Sequence, residues 1–339
     1  MDEPKDHAGL DAGDAIPDRP PDIPSSSAPG YDLIEPSPFE QRVQNVFIGS
    51  EGLRPVWRFL LYLLMYCALR LGLPVLISSA LADAPRIWLL LLVELGFVVI
   101  AYAPALVLAR MENRPFGDYG LPLRHAFGRL FWVGAAWGLL SLTALLLTLR
   151  VAGIFRIEGF ALHGMRTLKF AVFWGAFFLL VGVYEEFFTR GYTQFTLTQA
   201  VGFWPSAVLL SLGFGLLHLG NLGETSIGIL GAIAIGFFFC LTLRRTGNLW
   251  FALGFHAAWD WAESYLYSVP DSGTVVPGHL LQTSFRGSPW LSGGSVGPEG
   301  SVFLFLLLVL LWVVFDQVYP VVKYPAAAAE AKEIAHSGL

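Results

Sequence analysis

The residues able to do chemistry stand where ionisable groups are costly. Glu185, Glu186, Arg190, His218, His256, Asp260 and Glu263 interrupt long apolar runs in the second half of the chain. A charged side chain in hydrocarbon is destabilising and by default marks a functional interior. Glu186 and Arg190 are four residues apart, so on a helix they share a face and can pair. The same spacing recurs in Phe214 and His218 of FGLLH and in His256 and Asp260 of HAAWD, so each pair points one way from its helix. Carboxylates beside imidazoles are the parts of a hydrolytic site. A carboxylate can take a proton from water, an imidazole can position that water or ligate a metal, and a nearby donor can stabilise the oxyanion of an attacked amide. Taken singly, each group has a structural reading, as a helix-to-helix hydrogen bond or an ionic clamp. Their joint presence on consecutive elements carries the chemical one. Arg70 and Glu94, which no partner motif surrounds, read as structural clamps, and Glu263, seven residues after His256 on the same face, either as an outer residue of the site or as a residue near the membrane interface. The chain has no H-E-x-x-H and no G-x-S-x-G, which argues against a zincin and against nucleophilic serine chemistry.

The elements that must position these groups are transmembrane helices. The chain has 339 residues, of which 55% are hydrophobic and 14% charged; its mean hydropathy is +0.59. A soluble domain carries roughly a quarter charged residues. Crossing the bilayer takes about 20 apolar residues, and only helices or closed barrels satisfy their backbone there. The runs here are continuous and do not alternate, so the expected fold is all-α, a polytopic transmembrane helical bundle of about eight spans. They lie near 57–81, 87–109, 130–149, 168–199, 205–221, 226–243, 249–269 and 301–319, the fourth kinked near Gly182 or Gly191. Residues 1–45, rich in Asp, Pro and Ser, read as a disordered tail without a cleavable signal peptide. The transmembrane domain is expected over 55–320 and a C-terminal tail over 321–339. Segments 110–129 and 270–300 read as loops. The net charge of -5 comes without a basic patch, which excludes a nucleic acid partner. Cys67 and Cys240 read as small core residues, not as a disulfide or metal cluster. Arg and Lys flank the spans more densely on the side of Arg58, Arg110, Arg124, Arg129, Arg244 and Arg245, which places both termini in the cytoplasm.

Three motifs together resemble a known family. EEFFTRG at 185–191 resembles the E-E-x-x-x-R motif of the CPBP intramembrane proteases, which comprise the type II CAAX prenyl endopeptidases and bacterial relatives linked to bacteriocin processing or immunity. FGLLH at 214–218 resembles the family's F-x-x-x-H, and HAAWD at 256–260 its H-x-x-x-N or H-x-x-x-D. The resemblance covers a protease-like core at 168–269. It implies a helical membrane fold, in a bacterial inner membrane, with a cavity open to the cytoplasmic side. It also implies a membrane-associated peptide or protein substrate, drawn from the lipid bilayer and not necessarily prenylated. Glu185 would activate water and His218 hold it. His256 and Asp260 would complete the site, with Glu186 and Arg190 as its brace. A divalent metal, zinc by ligand type, could be held by His218, His256, Glu185 and Asp260. Where the family motif ends in Asn, an amide can donate to an oxyanion; an ionised Asp260 cannot, which tilts this chain towards metal ligation or a protonated acid. Two other readings use the same residues: a non-enzymatic immunity or scaffold protein, and a proton-coupled transporter. A transporter would string its ionisable groups along a path and show internal repeats, whereas a protease needs them converging on one cavity.

Overall fold

Apolar runs that must satisfy their own backbone become helices, and they do so almost where the hydropathy places them. The computed structural model describes residues 37–49, 52–78, 86–221 and 223–324. In chain order the helices are α1 (Pro38–Phe47), α2 (Pro55–Ser78), α3 (Arg86–Met111), α4 (Arg129–Val151), α5 (Met165–Arg190), α6 (Tyr192–Val201), α7 (Phe203–Leu217), α8 (Ser226–Thr246), α9 (Trp250–Trp261), the short α10 (Pro289–Ser292) and α11 (Val302–Val318). Two small antiparallel pairs complete the fold. These are β1 (Ile48–Gly49) with β2 (Gly52–Leu53), and β3 (Phe155–Phe160) with β4 (Leu281–Phe285).

Five of these stretches are long and apolar enough to cross a membrane: Trp88–Met111, Arg129–Val151, Met165–Val201, Phe203–Gly220 and Ser226–Thr246; Val302–Val318 is a shorter apolar helix. That count covers the described residues alone, against about eight spans that the hydropathy suggests. α2 occupies most of the expected first span, 57–81. The expected span 249–269 is α9 followed by a π-helical turn over Ala262–Leu266. The expected fourth span is α5 and α6 broken at Gly191, not at Gly182, which stays inside α5. A Cβ at Gly191 would lie 2.4 Å from the Phe187 carbonyl oxygen, so the break admits no larger side chain without movement. Residues 38–45 of the stretch read as tail lie in α1, and the rest of that stretch falls outside the described residues, as does the C-terminal tail beyond Tyr324.

α9 is the axis of the described core: Trp250 to Phe255, Ala257, Trp259 and Asp260 are all buried. Small residues bring it against α4. A Cβ added at Gly134 or Gly138 would sit 2.1 and 2.2 Å from the carbonyl oxygens of Phe251 and Phe255, and one at Gly254 2.0 Å from that of Phe131. This is backbone-on-backbone packing of the small-xxx-small kind, suited to a medium where apolar side chains gain nothing from leaving lipid. Segments assigned to one side of the membrane meet one another. β3 and β4 join 150–168 to 270–300, while Leu249 N–H donates to Gly120 O at 2.8 Å and Lys323 N–H to Arg244 O at 2.9 Å on the other. Cys240 is buried as expected, whereas Cys67 lies on the exterior.

Candidate active site

The tripartite constellation is assembled by α5, the end of α7 and α9. On α5, Glu186 is fully buried and accepts a hydrogen bond from Arg190 Nη1 at 2.7 Å. The guanidinium is also buried. Its Nε–H donates to Gly236 O at 3.2 Å, and its carbon lies 4.7 Å from the centre of the Phe214 ring and 5.4 Å from that of Phe239. At Gly236 an added Cβ would come within 2.7 Å of Arg190 Nη2, so a larger residue there would push on the guanidinium. The pair forms at the spacing the sequence suggests, but it is not fully satisfied: Glu186 Oε2 and Arg190 Nη2 are buried without a hydrogen-bond partner among the described residues.

The brace reaches the chemistry through His256. Its Nδ1–H donates to Glu186 Oε1 at 2.8 Å, and its Nε2 lies 3.3 Å from Asp260 Oδ2 and 3.7 Å from Glu185 Oε2. With Nδ1 committed as a donor, a proton or a cation must stand between Nε2 and those two carboxylates for the contacts to be attractive. His218 begins the short 3₁₀ turn that follows α7. Its Nδ1–H donates to Phe214 O at 2.8 Å, so Nε2 is the free ring nitrogen. The i, i+4 spacing of FGLLH therefore serves a side-chain-to-backbone bond that orients the imidazole.

Glu185, His218, His256 and Asp260 all line one cavity of about 410 Å³, and Glu186 and Arg190 stand behind its wall. One face of the cavity is aromatic and apolar, with Trp174, Phe177, Phe178 and Val181 of α5. The lining also carries acids that the sequence reading left out of the site: Glu94, Asp271 and Glu299. Among the described residues Glu94 and Arg70 make no direct ion pair; the Arg70 guanidinium lies over the Phe97 ring, 4.5 Å from its centre. Asp271 and Glu299 come from the loop 270–300. Burial pushes both carboxyls above their ordinary range, and the charge of Asp260 adds to the effect in each. Only folding brings them to the cavity; a polar residue in a Gly-rich loop carries no signal of that in the sequence.

The donor set of Glu185, His218, His256 and Asp260 fits a zinc-type cation in chemistry. Each imidazole has one nitrogen fixed by an outer partner, the arrangement that orients metal ligands, and leaves the other towards the cavity. Neither a curated protein nor a solved structure matches the chain. Residues 167–262 match the family model described as type II CAAX prenyl endopeptidase Rce1-like. The matched stretch contains all three motifs and every residue of the constellation just described. Residues 167–262 are thus an Rce1-like type II CAAX prenyl endopeptidase domain, within the intramembrane protease family that the three motifs resemble.

Proposed function

We propose that this membrane protease hydrolyses a peptide bond of a membrane-associated peptide or protein at the cavity of Glu185, His218, His256 and Asp260. The observation that carries the reading is convergence. Four ionisable groups from three helices line a single cavity, where a transporter would string them along a path and a scaffold would need none of them. Glu185 is the general base that takes the proton of the attacking water. The free Nε2 of His218 holds that water against the scissile carbonyl. His256, oriented by Glu186, presents its Nε2 to Glu185 and Asp260, where a proton on the ring can stabilise the oxyanion. The proton held by Glu185 then passes to the leaving amine. The aromatic wall of α5 suits an apolar peptide stretch beside the scissile bond. His218, His256 and either Glu185 or Asp260 would hold a divalent metal, which when bound supplies Lewis-acid polarisation and a more acidic water.

The test compares membrane proteomes of cells carrying the wild-type protein and Glu185→Gln. The reading expects a defined set of membrane peptides or proteins to accumulate uncut in the variant. Identical peptide populations, with the variant present at wild-type abundance, would contradict it.

A further inference from the structure

A second group of acids lies beyond the constellation and is built differently. Glu263, Asp271 and Glu299 each offer a carboxylate oxygen, and these atoms lie within 4.8 Å of one another. Glu263 is fully buried, and both of its oxygens lack a hydrogen-bond partner. The indole N–H of Trp259 acts on this carboxylate but lies outside hydrogen-bond geometry. Even if it turned, one N–H could satisfy only one of those oxygens. Among the described residues no Lys, Arg or His pairs with any of the three acids. Hydrogen bonds do reach the outer two: Ser264 Oγ–H donates to Asp271 Oδ2 at 2.9 Å and Ser272 Oγ–H to Glu299 Oε2 at 2.9 Å. Each serine hydroxyl fixes one oxygen and so orients its carboxylate, as outer partners of metal ligands do.

The backbone closes over this group. At Gly297, with φ +100°, an added Cβ would meet Pro270 O at 1.9 Å and Glu263 Oε1 at 3.4 Å, so the loop lies directly on the buried carboxylate. α9 changes at the same place to the π-helical turn Ala262–Leu266, which contains Glu263; such turns recur at functional sites. A bare carboxylate sealed between a helix end and a loop needs positive charge or a proton. Among the described residues no cationic side chain pairs with Glu263 and no donor bonds it, although His256 acts on Asp271 and both His218 and His256 act on Glu299 from further off.

We infer that Glu263, Asp271 and Glu299 bind a hard divalent cation, Mg2+ or Ca2+ in class, that fastens the loop 270–300 to the end of α9. An all-carboxylate donor set selects such ions over zinc, which the imidazoles of the neighbouring constellation favour. Asp271 and Glu299 also line the catalytic cavity, so the cation would hold the wall against which a substrate lies. The inference does not rest on the peptidase reading, because no residue of this trio is among the proposed catalytic groups.

The experiment uses the full-length protein in detergent, stripped with a chelator, desalted, and unfolded thermally with Mg2+, Ca2+, Mn2+ or Zn2+ added. A hard cation at about a hundredfold its Kd is expected to raise the midpoint by several degrees. Asp271→Asn and Glu299→Gln should each weaken the cation's apparent affinity by about 10-fold or more, while Glu185→Gln keeps the shift. The two loop variants decide the matter even if Glu263→Gln fails to fold. No shift with Mg2+, Ca2+ or Mn2+ would overturn the inference in favour of carboxyls that share protons. So would a shift seen with Zn2+ alone and lost in Glu185→Gln, which would assign the effect to the histidine site.

Discussion

Two groups of buried acids show how this protein treats charge. Near the loop 110–129, every oxygen of Glu112 is occupied. Oε1 accepts from Tyr192 at 2.6 Å, while Oε2 accepts from Tyr119 at 3.0 Å and pairs with Arg58 Nη1 at 2.9 Å. In the cavity, the ion-pair contact of Glu185 and of Asp260 among the described residues is the Nε2 of His256, at 3.7 and 3.3 Å. A saturated carboxylate is a fastener, since removing it strands its donors. An unsaturated carboxylate aimed into a void keeps free lone pairs for water, substrate or a cation. Glu186 is nearer the first kind, since Arg190 and His256 both bond its Oε1 although its Oε2 has no partner, and Glu185 is of the second, although they are neighbours on one helix.

Breaking the fasteners should cost stability, and altering the open acids should cost chemistry. The largest effect is expected for Arg190→Ala. It leaves Glu186 as an uncompensated buried charge, at about 3–5 kcal/mol. Thermal unfolding in detergent checks this, and wild-type stability would show that the pair is no brace. Glu112→Gln should cost about 1–3 kcal/mol through the donors of Arg58, Tyr119 and Tyr192, yet leave the cleavage rate of the folded fraction unchanged. A selective loss of rate would move Glu112 into the chemistry.

Asp260→Asn sharpens the contrast within the cavity. If Asp260 helps to hold a metal, the change should lower metal affinity and rate by about 10-fold or more, the scale of losses even around a metal site. A rate that stays at wild-type level in chelator-treated membranes would leave Asp260 no role as a ligand. The smallest perturbation is a label. Ser295→Cys, an exposed site in the loop 270–300, should react with an impermeant thiol reagent added outside intact cells if the arginine distribution sets the orientation. Protection there would place the loop wall in the cytoplasm, where the resemblance puts the cavity mouth.

The brace and the constellation were legible because their groups lie on helices at i, i+4 spacing, where sequence distance becomes spatial direction. Glu186 with Arg190, Phe214 with His218 and His256 with Asp260 all translate in that way. Glu94, Asp271 and Glu299 were not legible, because each reaches the cavity from an element with no neighbouring motif. β3 and β4 were missed because strand partners far apart in sequence, such as Arg156 and Ser284, leave no local trace. The π-helical turn at Ala262–Leu266 was missed because a hydropathy window averages over it. α1 was hidden by averaging composition over a tail, although Pro38 at its first position is a helix-start signal. By contrast, the G-x-x-x-G of Gly134 and Gly138 was in plain view and marks the face that meets α9.

The central claim is that Glu185 activates water while Glu186 does not. The most direct measurement is single-turnover cleavage of a substrate identified from the proteome comparison, by purified Glu185→Gln alongside the wild type. The expected result is a rate lower by about 10²–10⁴-fold, the usual worth of a positioned general base, with an unchanged unfolding midpoint. Cleavage within a few-fold of wild type by a fully folded Glu185→Gln would contradict the claim and remove the water-activating role from this residue.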